Sequence, residues 1–285
     1  MSQPFVYAVI AMICYGVADF VYKRAAAAAI RSDHFLMAQA WLFCPLVIVY
    51  ALATHRLILV PAALWGSLAG IASFIGFYYF SRSLTTGLVS INASIFRMNF
   101  IVTVFLVVAF LGEPLTVRKL AGLALALVAT WLLVGNGAGS DRTAKEARMH
   151  SLLQVGGATI AFGASNFFHT VGLRHGALPE TLAVAQAAVF MPLATAVVYI
   201  GHGELRPPKV TFRYSIAAAI LLLSATILML RGVAGGQASV LVPIAQMGFI
   251  VAALLGIFTL GERLTGRKAI GLALALAALA VLIES

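Results

Sequence analysis

The stretch GEPLTVRKLAGLALAL, Gly112 to Leu127, returns 149 residues later as GERLTGRKAIGLALAL, Gly261 to Leu276. A short polar turn followed by a small-residue apolar helix is therefore used twice. The match continues upstream without a gap: Gly87, Ser90, Ile95, Met98, Phe100, Ile101 and Val102 fall on Gly236, Ser239, Ile244, Met247, Phe249, Ile250 and Val251. From Gly87 to Val134 roughly half the positions are identical to their counterparts, more than shared apolar composition produces. The chain reads as a tandem duplication.

Hydrophobic residues make up 62% of the sequence and charged ones 10%, where soluble domains carry about 25% charged residues. That balance is that of an integral membrane protein. The net charge of +10 does not point to nucleic acid, because the Lys and Arg residues are scattered over short connections instead of lining one face. Connections beside anionic headgroups account for them. Cys14 and Cys44 sit inside apolar runs, which argues against a disulfide framework and a Cys-ligated metal. The first apolar run has no basic region before it and no clear cleavage site after it, so it reads as a retained span.

A helix needs about 20 apolar residues to cross the hydrocarbon. Ten stretches meet that measure: Pro4–Tyr22, His34–Ala53, Pro61–Phe80, Gly87–Leu111, Val117–Val134, Ser151–Val171, Thr181–Ile200, Tyr214–Leu230, Gln237–Leu260 and Lys268–Ile283. The longest polar connection, Gly135 to His150, joins the two copies, residues 1–134 and 151–285. An odd number of spans per copy makes equivalent helices cross the bilayer in opposite directions. The expected fold is all-α, with ten transmembrane helices as two inverted five-helix repeats, an architecture that supports alternating access. Thirteen Lys and Arg lie on the alternate connections that include Lys23, Arg82 and Arg213, against five on the opposite face. The positive-inside rule then puts both termini outside the cytoplasm.

Ten spans in two copies, each with a G-E-x-L-T-x-x-x-x-x-G turn between its fourth and fifth helices, resemble the EamA family of the drug/metabolite transporter superfamily. The turn is Gly112, Glu113, Leu115, Thr116 and Gly122 in one copy, and Gly261, Glu262, Leu264, Thr265 and Gly271 in the other. An aromatic-Gly pair in the first helix of each copy, Tyr15-Gly16 and Phe162-Gly163, also fits, although Trp-Gly is commoner there. The resemblance implies a secondary transporter of small metabolites, usually an exporter, in a bacterial inner membrane. It also implies cytoplasmic termini, opposite to the basic-residue count, so orientation stays open.

Arg97 lies about ten residues into the fourth span, roughly 15 Å along the helix axis. A charge at that depth costs about 2.5 to 3.5 kcal/mol on insertion scales, and Asp19 is the partner expected to offset it. With a two-residue shift in the first helix, Asp19 falls on Asn166, and Arg97 falls on Gln246 with none. An ionic pair in one half thus corresponds to an amide pair in the other. Such a cavity suits a zwitterion, with Arg97 holding a carboxylate and Asp19 an amino group or a coupling proton. A purely structural Asp19–Arg97 pair is the competing reading. Tyr15, Asn92 and His169 are weaker candidates for the lining, with Asn99, Phe162, Tyr78 and Tyr79 behind them. Pro243 and Gly163 are candidate pivots. Glu113 and Glu262 are expected at headgroup depth near Arg118-Lys119 and Arg267-Lys268, fixing a helix hairpin.

No H-E-x-x-H, G-x-S-x-G, Walker or CxxC motif is present, so nothing calls for an enzyme, a cofactor or a metal. The expected partners are a small-molecule substrate, coupling protons and the lipid bilayer, for a monomer or homodimer. Two rivals are a multidrug or cationic compound exporter and, from another class, a membrane-embedded enzyme or scaffold.

Overall fold

A computed structural model describes residues 2–86, 92, 95–133, 143–203, 205–260 and 265–284. Gly87 and Ser90, linker residues 135–142 and the second-copy turn residues Gly261, Glu262 and Leu264 lie outside the described residues. All regular structure among the described residues is helical. Hydrocarbon offers no partner for backbone N–H and C=O groups, so a chain this apolar satisfies them within helices.

The helices are α1 (Gln3–Ala27), α2 (Ser32–Ala53), α3 (Leu64–Thr86), α4 (Asn99–Leu111), α5 (Val117–Leu133) and α6 (Thr143–Arg174), followed by α7 (Pro179–His202), α8 (Lys209–Ala234), α9 (Ala238–Gln246), α10 (Phe249–Leu260) and α11 (Gly266–Ile283). Local sequence sets their ends. Pro4 and Pro179 stand in the first turns of α1 and α7, where a missing N–H does no harm. Gly112 and Gly203 end α4 and α7 in the left-handed conformation, which only glycine adopts without strain. Seven helices are long and apolar enough to cross a membrane among the described residues, so this is a multi-pass membrane protein. The fourth, fifth and sixth expected spans are not among the seven. The fourth appears as a shorter apolar helix, Ile95–Leu111, and α5 has 17 residues. Helix α6 starts at Thr143, inside the stretch read as linker, and buries Ser165, Asn166, His169 and Thr170.

The two halves are broken at the same place. The ninth span is two helices, α9 and α10, separated at Met247 with φ −74° and ψ 13°, and Met98, its counterpart, precedes α4 with φ −73° and ψ 4°. The helix runs through Pro243 and breaks four residues later. Each break is a place where another helix comes close. A Cβ on Gly16 would stand 2.3 Å from the carbonyl oxygen of Gly248, just past the second break. A Cβ on Gly163 would stand 2.7 Å from the carbonyl oxygen of Asn99, just past the first. Gly163 therefore serves close approach between helices, which replaces the loosening role expected of it.

Packing is exchanged between halves. Helix α1 lies against α8, α9 and α10, and α6 against α3 and α4. Helix α2 packs on α7 and α8, α3 on α7, and α5 on α11. Each half's first helix is thus held by the other half's third helix and broken helix. Side chains such as Phe110, Ile200 and Phe258 point outward, each at least 70% exposed, an arrangement that suits lipid.

Candidate functional site

Asp19 and Arg97 meet in an ion pair. Helix α1 brings Asp19 one turn beyond Tyr15, and Arg97 is the last residue before the Met98 break, where the chain turns into α4. The side chains are 20% and 23% exposed, and the second carboxylate oxygen of Asp19 makes no hydrogen bond. The pair is therefore satisfied on one side and open on the other.

A cavity of about 80 Å³ lies beside it. Its aromatic walls are Tyr15, Phe43, Phe77, Phe162 and Phe190, and its polar groups include Gln39, Ser165, Asn166, His169, Gln186 and Thr226. Most of these are occupied. Ser165 Oγ donates to the carbonyl of Ala69 at 2.9 Å, and Tyr22 donates its hydroxyl to Gln39 Oε1. Asn166 Nδ2 reaches Asn99 Oδ1 at 3.4 Å and Thr103 Oγ1 at 3.5 Å, joining α6 to α4. Gln186 Nε2 donates to Ser73 Oγ at 3.2 Å, but its Oε1 and both ring nitrogens of His169 have no hydrogen-bond partner.

Of the residues singled out in the sequence, Tyr15, Asn166, His169 and Phe162 line the cavity, while Asp19, Arg97, Gln246 and Asn92 are not on its wall. Gln246 is buried at the end of α9. Asn92 is buried and donates to Ser83 O and Ser151 Oγ, both at 2.7 Å, so it ties α3 to α6. Asn99 caps its own turn through Phe96 O at 2.8 Å. Tyr78 accepts from Arg82 at 2.9 Å, and Tyr79 is 42% exposed.

The first copy of the turn is a buried junction. Glu113 is buried and accepts from the backbone N–H groups of Ala238 and Ser239 at 3.1 and 2.8 Å. Those are the first two residues of α9, so a carboxylate of the first half caps a helix of the second, where the helix dipole favours negative charge. The cation in direct contact with it is Arg174, at 2.9 Å from the end of α6, and Lys119 is near enough to act on it electrostatically. Lys119 is itself buried and donates to Pro114 O at 2.7 Å, Ser239 Oγ at 3.1 Å and Gln237 Oε1. Thr116 and Thr265 accept from Lys119 N and Lys268 N at the starts of α5 and α11, which explains why the turn keeps a threonine in both copies.

Two features went unread in the sequence. The first is a second repeated stretch, Q-A-x-x-F-x-P, at Gln39 to Pro45 and Gln186 to Pro192. It puts Gln39, Ala40 and Phe43 opposite Gln186, Ala187 and Phe190 on the cavity wall. The second is a buried ion pair. Glu180 begins α7, is fully buried, and accepts from Arg231 Nε at 3.1 Å and Nη2 at 2.5 Å. Arg231 also donates to the Tyr50 hydroxyl at 2.9 Å. This cluster and the Glu113 junction gather at one end of the bundle, where α6 leads into α7 and α8 into α9.

Residues 4–135 match the EamA-like transporter family, consistent with a member of the drug/metabolite transporter superfamily. No curated protein matches the sequence. A solved crystal structure of another protein superimposes on 98% of this chain and 96% of its own, with a TM-score of 0.81 at 17% identity. At that identity the likeness is one of fold.

Proposed function

We propose that this chain, a multi-pass membrane protein of EamA-like type, is a secondary active transporter that exports a small polar metabolite such as an amino acid. It works by alternating access, with its halves acting as inverted five-helix repeats of a ten-span bundle in a bacterial inner membrane. The observation that carries this reading is the half-open Asp19–Arg97 pair inside the apolar helices, beside a cavity walled by equivalent residues of both halves. An intramembrane charge pair with an unfilled acceptor is suited to a zwitterion. The substrate carboxylate takes a bidentate place on Arg97, and its ammonium group or a coupling proton takes the free oxygen of Asp19. The cross-packing of first and third helices supports rocking of one half against the other about this point.

Two rivals are weaker. A cationic drug exporter needs an unpaired intramembrane carboxylate, and Asp19 is matched by Arg97. A membrane-embedded enzyme or scaffold has no use for two equivalent broken spans.

Proteoliposomes loaded with an amino-acid mixture test the reading. Arg97→Gln should lower the flux of carboxylate substrates by two orders of magnitude or more, whereas unchanged flux removes Arg97 from the site. A comparison of metabolites released by expressing and non-expressing cells identifies the cargo.

A further inference from the structure

Two hydrogen-bonding groups in the aromatic cavity, His169 and Gln186, lie within reach of each other but make no well-formed hydrogen bond, and the duplication supplies the control. Counted through the shifted first helix, Tyr22 corresponds to His169, and Gln39 corresponds to Gln186 at the same spacing. In the first half the pair is closed, because the Tyr22 hydroxyl donates to Gln39 Oε1. In the second half the same two positions lie near each other without closing into a well-formed hydrogen bond. His169 is 3% exposed with neither ring nitrogen hydrogen-bonded, and Gln186 Oε1 is buried without a donor. If the Gln186 carboxamide is turned over, its nitrogen becomes the unbonded atom, so one polar atom is left either way. Buried polar groups are nearly always paired, and an exception asks for a partner that comes from elsewhere.

We propose that His169 and Gln186 form a hydrogen-bonding subsite that reads a neutral donor–acceptor group, a hydroxyl or a carboxamide, on the side chain of the transported zwitterion. This rests on the reading of the cavity as the transport site, and adds to it the class of side chain selected. A neutral imidazole offers one donor and one acceptor, and Gln186 offers an acceptor. A hydroxyl or carboxamide supplies both kinds of group and completes the set. An ammonium group supplies donors only and would be buried in a cavity whose described lining holds no carboxylate, and a carboxylate supplies acceptors only and would be buried there with no Lys or Arg on that lining. The remaining lining is aromatic and aliphatic, which suits the carbon part of such a side chain. Tyr15, on the cavity wall, and Asp19 are one helical turn apart on α1, so the box and the ion pair adjoin the same stretch of helix.

Threonine and valine have the same shape and differ by a hydroxyl, and asparagine and leucine differ by an amide for two methyl groups. The full chain in proteoliposomes should move threonine over valine and asparagine over leucine by at least about tenfold, because a site built to bond a polar group rejects the analogue that lacks it. His169→Phe and Gln186→Leu should each bring both ratios to about one. Wild-type ratios of about one overturn the proposal, as do ratios that survive both substitutions, or lysine moving faster than threonine and asparagine. Movement of none of these probes overturns it too. If a variant fails to fold, the rise in Tm of the wild-type protein with threonine against valine carries the test, and equal shifts defeat it. Phe162→Trp, which fills the box, separates this from the reading beneath it. A general loss of flux keeps the cavity as the transport site even when the ratios are flat, whereas unchanged flux removes both.

Discussion

At the corresponding positions around the cavity, the first half pairs its polar side chains with one another, and the second half does not. Asp19 closes on Arg97 and Tyr22 on Gln39. At the corresponding places, Asn166 reaches across to the first half, and His169 and Gln186 remain open in the cavity. Backbone features run the other way: both halves break at a methionine, both rest a first-helix glycine on the other's break, and both start their fifth helix with a threonine cap. Duplication has kept the parts that fit the halves together. The side chains inside have diverged, and a site with two unlike walls is what that divergence leaves.

The largest effect is expected where the halves depend on each other. Glu113→Ala strips two N–H groups of their acceptor and leaves Arg174 without its carboxylate, so it should destabilise the protein by about 2 to 4 kcal/mol. Thermal melts in detergent measure this, and a loss below about 0.5 kcal/mol would show the junction to be dispensable. Next comes the ion pair. Asp19→Asn or Arg97→Gln alone should remove about 1 to 2 kcal/mol, discounted for partial exposure. The double variant gives the first half the amide pair of the second, and should recover most of that loss. Additive effects in the double-mutant cycle would break the likeness between the halves. Smallest is Tyr22→Phe, which opens Gln39 as Gln186 is open, and should lower stability by about 1 kcal/mol. An unchanged melting temperature would mean that the closed pair of the first half contributes nothing.

The membrane class followed from composition. The Asp19–Arg97 pair followed from depth, because two opposite charges in hydrocarbon have little choice of partner. The breaks were harder to read. Proline marked Pro243, but the breaks lie at Met98 and Met247, packed against Gly163 and Gly16 respectively, which are distant in sequence. The partner of Glu113 was hidden for the same reason, since nearby Arg118 and Lys119 were plausible and the helix start at Ala238 was not adjacent. Gln186 could have been found. Its stretch repeats at the 147-residue spacing that relates Asp19 to Asn166, whereas the turn repeats at 149, and a comparison held to one spacing passes over it.

The carboxylate that Glu113 extends to the start of α9 bears on how the protein is made. Synthesis delivers the first half to the membrane before α9 exists, so the acceptor waits for its helix. A second half expressed by itself would present the amides of Ala238 and Ser239 to lipid, with Arg174 unmatched beside them. Co-expression of the first half as a separate polypeptide should rescue it, which makes the early half a template for the late one.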